Sequence, residues 1–279
     1  MEIATVSYPA SDAPQRFVES LRDTGFAVVV DHPLSLPVVE QVHADWAAFF
    51  ASPTKREWLA GERQDGYYPP DRSETAVGAA VPDLKEFFHW YPWGQRPFDG
   101  ATAELHSAGS RLAAELLGWI DAALPDDLAA RLSMPLSRML EGTQRTMLRV
   151  LHYPPLSGDE AEGAVRAAAH EDVNFITILP AATAAGLEVL ARDGGWIAVT
   201  PDPGALIVNV GDGLQLASDG WLRSTTHRVV NPTGAAAWQS RYSTPLFLHP
   251  ADDVRLSEEW TAFEFLQERI RQIRGDEIR

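Results

Sequence analysis

The chain has 279 residues, no cysteine and a formal charge of −16. The lack of cysteine excludes disulfide bonds, thiolate metal ligands and a cysteine nucleophile, and it favours a cytoplasmic protein. Because an acidic surface repels phosphate backbones, nucleic acid is not expected as a partner. No apolar run approaches the roughly 20 residues that span a bilayer. The segment MEIATVSYPASDAPQ also lacks the basic and apolar regions of a secretory signal, so no membrane association is expected.

The first part of the chain, residues 1–142, has mainly helical patterns. Gly25 is a plausible end for the first helix, and the β-branched run FAVVV after it predicts a short strand. Ser35 is a plausible N-cap for the second helix, and Pro125 stops the third. The three helices are predicted over residues 12–24, 35–50 and 101–123.

The pattern changes after about residue 143. Short apolar and β-branched runs alternate with turn signals, and no helix is expected between them. The runs are TMLRVLHY, NFITILP, LEVLAR, WIAVT, ALIVNVG, HRVVN and SRYSTPLFLH. Many short strands at close spacing predict an antiparallel sandwich or barrel. From Thr261 the period is helical again, and Thr261 with Glu264 fits a capping box.

These patterns predict a single domain over residues 1–279. Its mostly helical N-terminal part is residues 1–142, its β core is residues 143–250, and a C-terminal helix occupies residues 251–279. No internal repeat or low-complexity linker divides the chain, so we expect the helices and the β core to share one hydrophobic core.

The stretch HEDVNFITILP begins with polar residues and continues as an apolar strand pattern. In a strand, residues i and i+2 share a face, so His170 and Asp172 would point together and could bind one metal, while Glu171 would point away. A solvated strand end is the other interpretation. The same H-x-D tripeptide begins at His43, but there it lies in a helical pattern, where i and i+2 are about 200° apart. The predicted strand context therefore distinguishes the H-x-D at His170 from the one at His43.

His227, at the start of the run HRVVN, is the candidate third ligand. Two histidines and one carboxylate are the donor set of non-haem Fe(II) oxygenases. Taken alone, His227 is better interpreted as a half-buried histidine with ordinary hydrogen bonds. Arg241 and Ser243 share a face of another predicted strand. A buried guanidinium requires an anionic partner, and a carboxylate can accept two hydrogen bonds from it. An exposed arginine is the alternative.

Together these motifs resemble those of the Fe(II)/2-oxoglutarate-dependent dioxygenases, and more narrowly the isopenicillin N synthase-like family. The segments that carry the resemblance are, in order, HEDVNFITILP, PDPGALIVNVGDGLQLAS, LRSTTHRVVNP and SRYSTPLFLHP. GFAVVVDHPLS and DLKEFFHWYP extend it over nearly the whole chain. The resemblance implies an α+β protein with a mainly β core, a double-stranded β-helix (jelly roll), flanked by an N-terminal helical layer and a C-terminal helix.

The resemblance also implies roles for individual residues. It makes His170, Asp172 and His227 the iron ligands. It makes Arg241 and Ser243 the residues that hold the distal carboxylate of 2-oxoglutarate, and Tyr153 a further contact with this co-substrate. One position departs from the family pattern: Leu151 stands where plant-type members carry an asparagine, and leucine donates no hydrogen bond.

The implied activity is oxidation of an unactivated C–H bond of a small metabolite, with O2 and 2-oxoglutarate consumed and succinate and CO2 released. Hydroxylation, desaturation and cyclisation are all within this chemistry. Two alternatives stay open: an Fe(II) oxidase or cyclase that uses no 2-oxoglutarate, and a non-catalytic jelly roll that binds a metal or ligand. A monomer or weak homodimer is expected.

Overall fold

The structure, a computed structural model, describes residues 2–72, 81–200 and 202–274. The helices are α1 (Ala13–Thr24), α2 (Leu36–Ala51), α3 (Gly100–Asp121), α4 (Asp126–Ala129), α5 (Asp212–Ala217) and α6 (Ala262–Arg274). The strands are β1 (Thr5–Ser7), β2 (Phe26–Val30), β3 (Gly66–Tyr68), β4 (Glu86–Trp90), β5 (Met147–Tyr153), β6 (Ala167–His170), β7 (Ile176–Pro180), β8 (Leu187–Leu190), β9 (Trp196–Ala198), β10 (Leu206–Val210), β11 (His227–Val229), β12 (Arg241–Ser243) and β13 (Leu246–Leu248).

Two sheets form the core. The larger sheet has the order β1-β2-β10-β7-β13-β5-β4-β3, and β12 also pairs with β5. The smaller sheet has the order β6-β11-β8-β9. Apart from the parallel pair β1–β2, the described ladders are antiparallel, and most of them pair strands that are far apart in the chain. The protein therefore has the predicted jelly-roll core with helices outside it.

The outer helices pack against the larger sheet. Phe17 of α1, Trp46 of α2 and Leu116 of α3 are fully buried in the same hydrophobic cluster as Ile178 and Val208 of the sheet. The three long helices lie where their spacing predicts them. Ser35 occupies the N-cap position of α2, but its side chain makes no capping hydrogen bond. At α6 the capping box is formed: Thr261 N donates to Glu264 Oε2 at 3.0 Å, and Glu264 N donates to the Thr261 hydroxyl at 3.3 Å.

The stretch from His170 to Pro180 is not the single strand that its sequence predicts. β6 ends at His170 and belongs to the smaller sheet, whereas β7 begins at Ile176 in the larger sheet. Between them the backbone is bonded to the turn after β10, because Asp212 N donates to Asp172 O at 2.8 Å. The chain crosses between sheets here, so strand parity does not explain why His170 and Asp172 point together.

Three further features differ from the sequence-based expectations. The run SRYSTPLFLH forms two strands, β12 and β13, separated by Pro245, which has no N–H to donate to a ladder. The helix α5 interrupts the β region, where no helix is expected. The N-terminal part contributes β1 to β4 to the larger sheet, of which only β2 is predicted. No helix in the described parts of the chain is long and apolar enough to cross a membrane.

Candidate metal and co-substrate site

Three side chains converge where the two sheets meet. His170 ends β6, His227 begins β11, and the two residues are direct partners in the antiparallel ladder. Asp172 lies in the crossing segment just beyond β6. One potential ligand atom from each of the three lies within 4.8 Å of the others. Asp172 Oδ1 is 3.9 Å from His170 Nε2 and 3.8 Å from His227 Nε2. The structure thus brings together the three residues predicted as ligands.

The Asp172 carboxylate is held by one oxygen and exposed to the cluster by the other. Its Oδ2 accepts a hydrogen bond from the Thr177 hydroxyl at 2.7 Å and another from Asn209 Nδ2 at 2.8 Å. Both donors come from neighbouring strands of the larger sheet, β7 and β10. Because Oδ2 is occupied in this way, Oδ1 is the oxygen that faces the two imidazole rings.

Both histidines are oriented by backbone carbonyls. His170 Nδ1 lies 2.8 Å from Ala168 O, and His227 Nδ1 lies 3.1 Å from Thr225 O. A carbonyl oxygen only accepts, so Nδ1 of each ring carries the proton and Nε2 presents its lone pair. This arrangement, in which a backbone group orients the ring through its second nitrogen, is typical of metal-ligating histidines.

The protonation states also suit a metal. Burial of the ring, then the neighbouring His227, hold the pKa of His170 below its usual value of 6.5, although 39% of the side chain remains exposed at the mouth of the core. Burial alone would raise the pKa of Asp172, but the two histidines and the hydrogen bonds from Asn209 and Thr177 lower it overall. A lowered pKa favours the neutral imidazole of His170 and the carboxylate of Asp172 at neutral pH, and these are the forms that bind metal. This donor set fits Fe(II).

A second polar feature lies along β5 and β12. Arg241 is the ladder partner of Tyr153, and Ser243 is the partner of Leu151. Arg241 is 3% exposed, its Nε donates to Ala184 O at 2.9 Å, and its Nη1 has no hydrogen-bond partner among the described residues. The guanidinium carbon lies 5.0 Å from the centre of the Tyr153 ring. The structure brings Arg241, Ser243 and Tyr153 together as predicted.

Leu151 contributes to an apolar wall beside this arginine. It is buried in a cluster with Phe87, Tyr153, Ala167 and Val229, which come from both sheets. The position that departs from the family pattern is therefore occupied by a hydrophobic contact, and no hydrogen bond to a ligand can come from its side chain.

The neighbouring face of β4 and β5 carries Arg149, which the strand alternation places on the face of Tyr153, together with His89 and Phe87, which sequence reasoning did not assign. His89 pairs with Arg149 in the ladder, and Phe87 pairs with Leu151, so all four share the face of Tyr153. Arg149 Nε donates to His89 Nε2 at 3.0 Å, and its guanidinium lies 4.9 Å from the Phe87 ring. His89 and Phe87 lie in EFFHW, and their place beside Arg149 and Leu151 depends on the pairing of β4 with β5, which local sequence does not show.

Thr177 and Asn209 were also missed. Asn209 is 2% exposed and stands inside the otherwise apolar strand LIVNV. A buried polar residue in such a strand needs a hydrogen-bond partner, and that requirement was the signal that could have marked it. Its partner, Asp172, is distant in sequence, so the pairing itself could not be read from spacing.

Comparison with known proteins identifies the family. The family model of the 2OG-Fe(II) oxygenase superfamily matches residues 144–250, and that of the N-terminal region of non-haem dioxygenases in morphine synthesis matches residues 8–107. Proline hydroxylase buaE of Petromyces alliaceus is 31% identical, over 98% of this chain and 99% of its own. The chain belongs to the 2OG-Fe(II) oxygenase superfamily.

Other members of the superfamily align over most of the chain. A crystal structure assigned as an oxygenase, from Shewanella oneidensis, is 46% identical and covers 99% of this chain and 100% of its own, with a TM-score of 0.89. Gibberellin 2-beta-dioxygenase 1 of Pisum sativum is 27% identical over 82% of this chain and 72% of its own. This protein is an oxidoreductase, a non-haem oxygenase that depends on Fe(II) and 2-oxoglutarate. The predictions of family, fold, enzyme class and cofactors are confirmed.

Proposed function

We propose that His170, Asp172 and His227 hold the Fe(II) of this oxygenase. The observation that carries the proposal is the convergence of two Nε2 lone pairs and one carboxylate oxygen within 4.8 Å of one another. Among the described residues, no other group of three histidine and acidic side chains meets within that distance. This donor set would leave coordination positions open to the co-substrate and O2.

Arg241, Ser243 and Tyr153 are proposed to hold 2-oxoglutarate. Arg241 is almost fully buried and has an unpartnered nitrogen among the described residues, and a carboxylate is the group whose two oxygens match the guanidinium fork. Ser243, 3% exposed, is on the same face of β12 and can donate its hydroxyl. The Tyr153 ring lies against the guanidinium and borders the same space.

With both groups bound, Fe(II) and 2-oxoglutarate supply O2-dependent oxidation of a C–H bond, and succinate and CO2 are released. The chain's own residues orient the reactants and exclude water. His170 and His227 are fixed by backbone carbonyls, and Asp172 is fixed by two side-chain donors, so little rearrangement is needed on binding. The apolar wall around Phe87 and Leu151 keeps the site dry.

The substrate is proposed to be a small metabolite, with hydroxylation as the outcome. Relatives include a proline hydroxylase and gibberellin dioxygenases. The face that carries Arg149, His89 and Phe87 combines polar and aromatic groups next to the co-substrate residues, which suits a small molecule that is partly polar.

The organisation of the whole protein is also part of the proposal. We propose a single cytoplasmic oxygenase domain over residues 1–279 that acts without nucleic acid or membrane. Support comes from the hydrophobic cluster shared by the outer helices and the larger sheet, from the acidic, cysteine-free composition and from a site built within one chain, for which a monomer or weak homodimer suffices.

The iron and co-substrate assignments can be tested together. Anaerobic protein with Fe(II) and 2-oxoglutarate should develop a weak visible charge-transfer band, and His227→Ala should abolish it. His106→Ala is the matched control, because His106 is a partly buried histidine bonded to Thr146 O, away from the cluster, and it should retain the band.

The outcomes separate the proposal from its alternatives. Iron binding without the band and without succinate on turnover would favour an oxidase or cyclase that takes all its electrons from the substrate. No O2 uptake across a panel of small metabolites would favour a non-catalytic jelly roll.

A further inference from the structure

Arg166 is a second buried arginine close to the proposed co-substrate residues. It is 1% exposed, and its Nη2 donates to Gln239 O at 3.0 Å and Pro154 O at 3.5 Å. Its Nε has no hydrogen-bond partner among the described residues. Tyr153 and Arg241 are the titratable or charged neighbours that shape its electrostatic environment. Arg166 therefore carries a buried charge that no carboxylate of the described residues offsets.

The position of Arg166 links it to the same site. It directly precedes β6, and its backbone N is anchored to Asn231 Oδ1 at 3.0 Å. From there the side chain crosses to the end of the β5–β12 ladder, beyond Tyr153. Its guanidinium carbon lies 6.0 Å from the centre of the Tyr153 ring, the same ring that Arg241 approaches to 5.0 Å. Two guanidinium groups thus share one aromatic neighbour.

Burying the guanidinium groups of Arg166 and Arg241 without a carboxylate partner reduces the stability of the folded protein. A buried charge is tolerated when a partner of opposite sign offsets its loss of hydration, and a second cation nearby adds repulsion that is strong in a poorly polarisable interior. An anion next to Arg241 would offset the lost hydration of the guanidinium groups and also the repulsion between them. 2-Oxoglutarate carries a carboxylate at each end, and its distal carboxylate is the one proposed to meet Arg241.

We propose that Arg166 is a positioning residue that acts with Arg241 on the distal carboxylate of 2-oxoglutarate, and that this pair makes the pocket selective for a dicarboxylate over a monocarboxylate 2-oxo acid. The inference rests on the proposed co-substrate site. Arg166 acts through its charge and through the Tyr153 ring, because its Nη2 is already bonded to backbone carbonyls. It extends the recognition of the co-substrate from β12 to the start of β6.

The test measures binding rather than turnover. The full chain, loaded with Mn(II) in place of iron, is titrated calorimetrically with 2-oxoglutarate and with 2-oxopentanoate, which has the same chain length but lacks the distal carboxylate. Arg166→Gln should weaken 2-oxoglutarate binding by about tenfold or more and leave 2-oxopentanoate binding unchanged. Arg166→Lys, which keeps the charge, should retain the preference for the dicarboxylate.

The control and the contrary outcomes are defined by the same titrations. Arg228→Gln is the matched control, because Arg228 pairs with Glu188 at 2.7 Å and stacks on Trp196 at 3.9 Å; it should change neither affinity. Equal weakening of both ligands by Arg166→Gln would assign Arg166 a purely structural role and overturn the inference, as would no change in either. If Arg166→Gln does not fold, loss of the preference in Arg166→Lys overturns it.

Failure of this inference and failure of the proposed function give different results. A wild-type protein that binds 2-oxoglutarate but shows no selective loss in Arg166→Gln contradicts the role of Arg166 alone. A wild-type protein that binds neither 2-oxo acid contradicts the proposed co-substrate site itself.

Discussion

The two carboxylate oxygens of Asp172 have different contacts. Oδ2 is bonded to Thr177 and Asn209 inside the larger sheet, whereas Oδ1 faces the two imidazole rings. The hydrogen bonds hold the carboxylate in place although Asp172 lies outside any strand. Residues that orient a metal ligand in this way commonly change metal affinity when they are removed.

Asn209→Ala removes one of the two donors to Asp172. We expect metal affinity to fall by about tenfold or more, the usual effect of losing such a partner, because the carboxylate gains rotational freedom. Titration with Mn(II) measures it. Gln95→Ala, which removes a partly buried amide that donates to Leu59 O and Asp65 O in the N-terminal part of the chain, should leave metal affinity unchanged. Equal affinities for Asn209→Ala and the wild type would show that Thr177 alone suffices.

At the level of single residues, the sequence predicted which residues form the candidate site but not the backbone geometry that brings them together. His170, Asp172, His227, Arg241, Ser243 and Tyr153 were all named from motif order. The strand parity used to pair His170 with Asp172 was wrong, because the chain leaves β6 between them. Asn209 and Arg166 were missed, since each contacts the site through residues far away in sequence.

At the level of elements, the end of α1 supports the loop that orients His227. Gly25 has φ +74°, and a Cβ there would lie 2.3 Å from Thr225 Oγ1 and 2.6 Å from Arg223 O. The carbonyl of Thr225 accepts from His227 Nδ1. The close contact of Gly25 with Thr225 therefore links the end of α1 to the orientation of His227, one of the proposed metal ligands.

Gly25→Ala should destabilise the protein and weaken metal binding, because both the backbone strain and the contact with Thr225 must be relieved. Gly220→Ala is the matched control: Gly220 has φ +75° and no atom within 4 Å of the position that an alanine methyl group would take, so it should cost only the strain, about 1 kcal/mol. Urea unfolding and Mn(II) titration compare the two variants. Equal losses of stability would contradict a role for the close approach.

Glu86 joins the segment after α2 to the outer face of β4 and β5. It is 4% exposed and accepts from Lys55 Nζ at 2.9 Å, from His152 Nδ1 at 2.7 Å and from the Tyr67 hydroxyl. Burial alone would raise the pKa of Glu86, but the hydrogen bonds from His152, Tyr67 and Lys55 outweigh it and lower the pKa below 4.5. His152, on the opposite face from Tyr153, is therefore part of a structural network.

Glu86→Gln should lower the free energy of unfolding by about 3 kcal/mol at pH 7, since it removes the carboxylate that pairs with Lys55, whose Nζ is otherwise bonded to Phe50 O. A carboxyl group with a lowered folded-state pKa stabilises the protein above its unfolded pKa, and this contribution is lost as pH falls through the folded pKa. The difference between wild type and variant should therefore shrink below about pH 4.5. A difference that stays constant down to about pH 3 would contradict the ionic role of Glu86.

Elements were predicted well where local signals were strong. α1, β2 and α6 follow from a C-terminal glycine, a β-branched run and a capping box. The short helix α5 and the strands β3 and β4 were not predicted, because their placement depends on which strands they meet. Pairing partners such as β4 and β5 lie far apart in the chain, and local periodicity does not encode that choice.

For the whole molecule, the shared hydrophobic cluster predicts cooperative unfolding. Phe17, Trp46 and Leu116 of the helices are buried against the larger sheet, so the helices cannot separate without exposing the core. Thermal unfolding of the metal-free chain should give coincident transitions by far-ultraviolet circular dichroism and tryptophan fluorescence. Two separate transitions would contradict the proposal of a single domain.

The sequence by itself determined the family, the residues of the proposed metal and co-substrate sites, and the helical and strand character of most of the chain. These follow from short-range patterns: residue type, spacing and capping. Only the tertiary structure decided that the chain leaves β6 at His170 and that Asp172 lies in the segment that crosses between sheets. It also decided that Asn209 and Thr177 hold Asp172, and that Arg166 lies against the same ring as Arg241. The Asn209–Asp172 and Arg241–Tyr153 contacts join residues that are distant in sequence, and all of these contacts depend on how the two sheets pack.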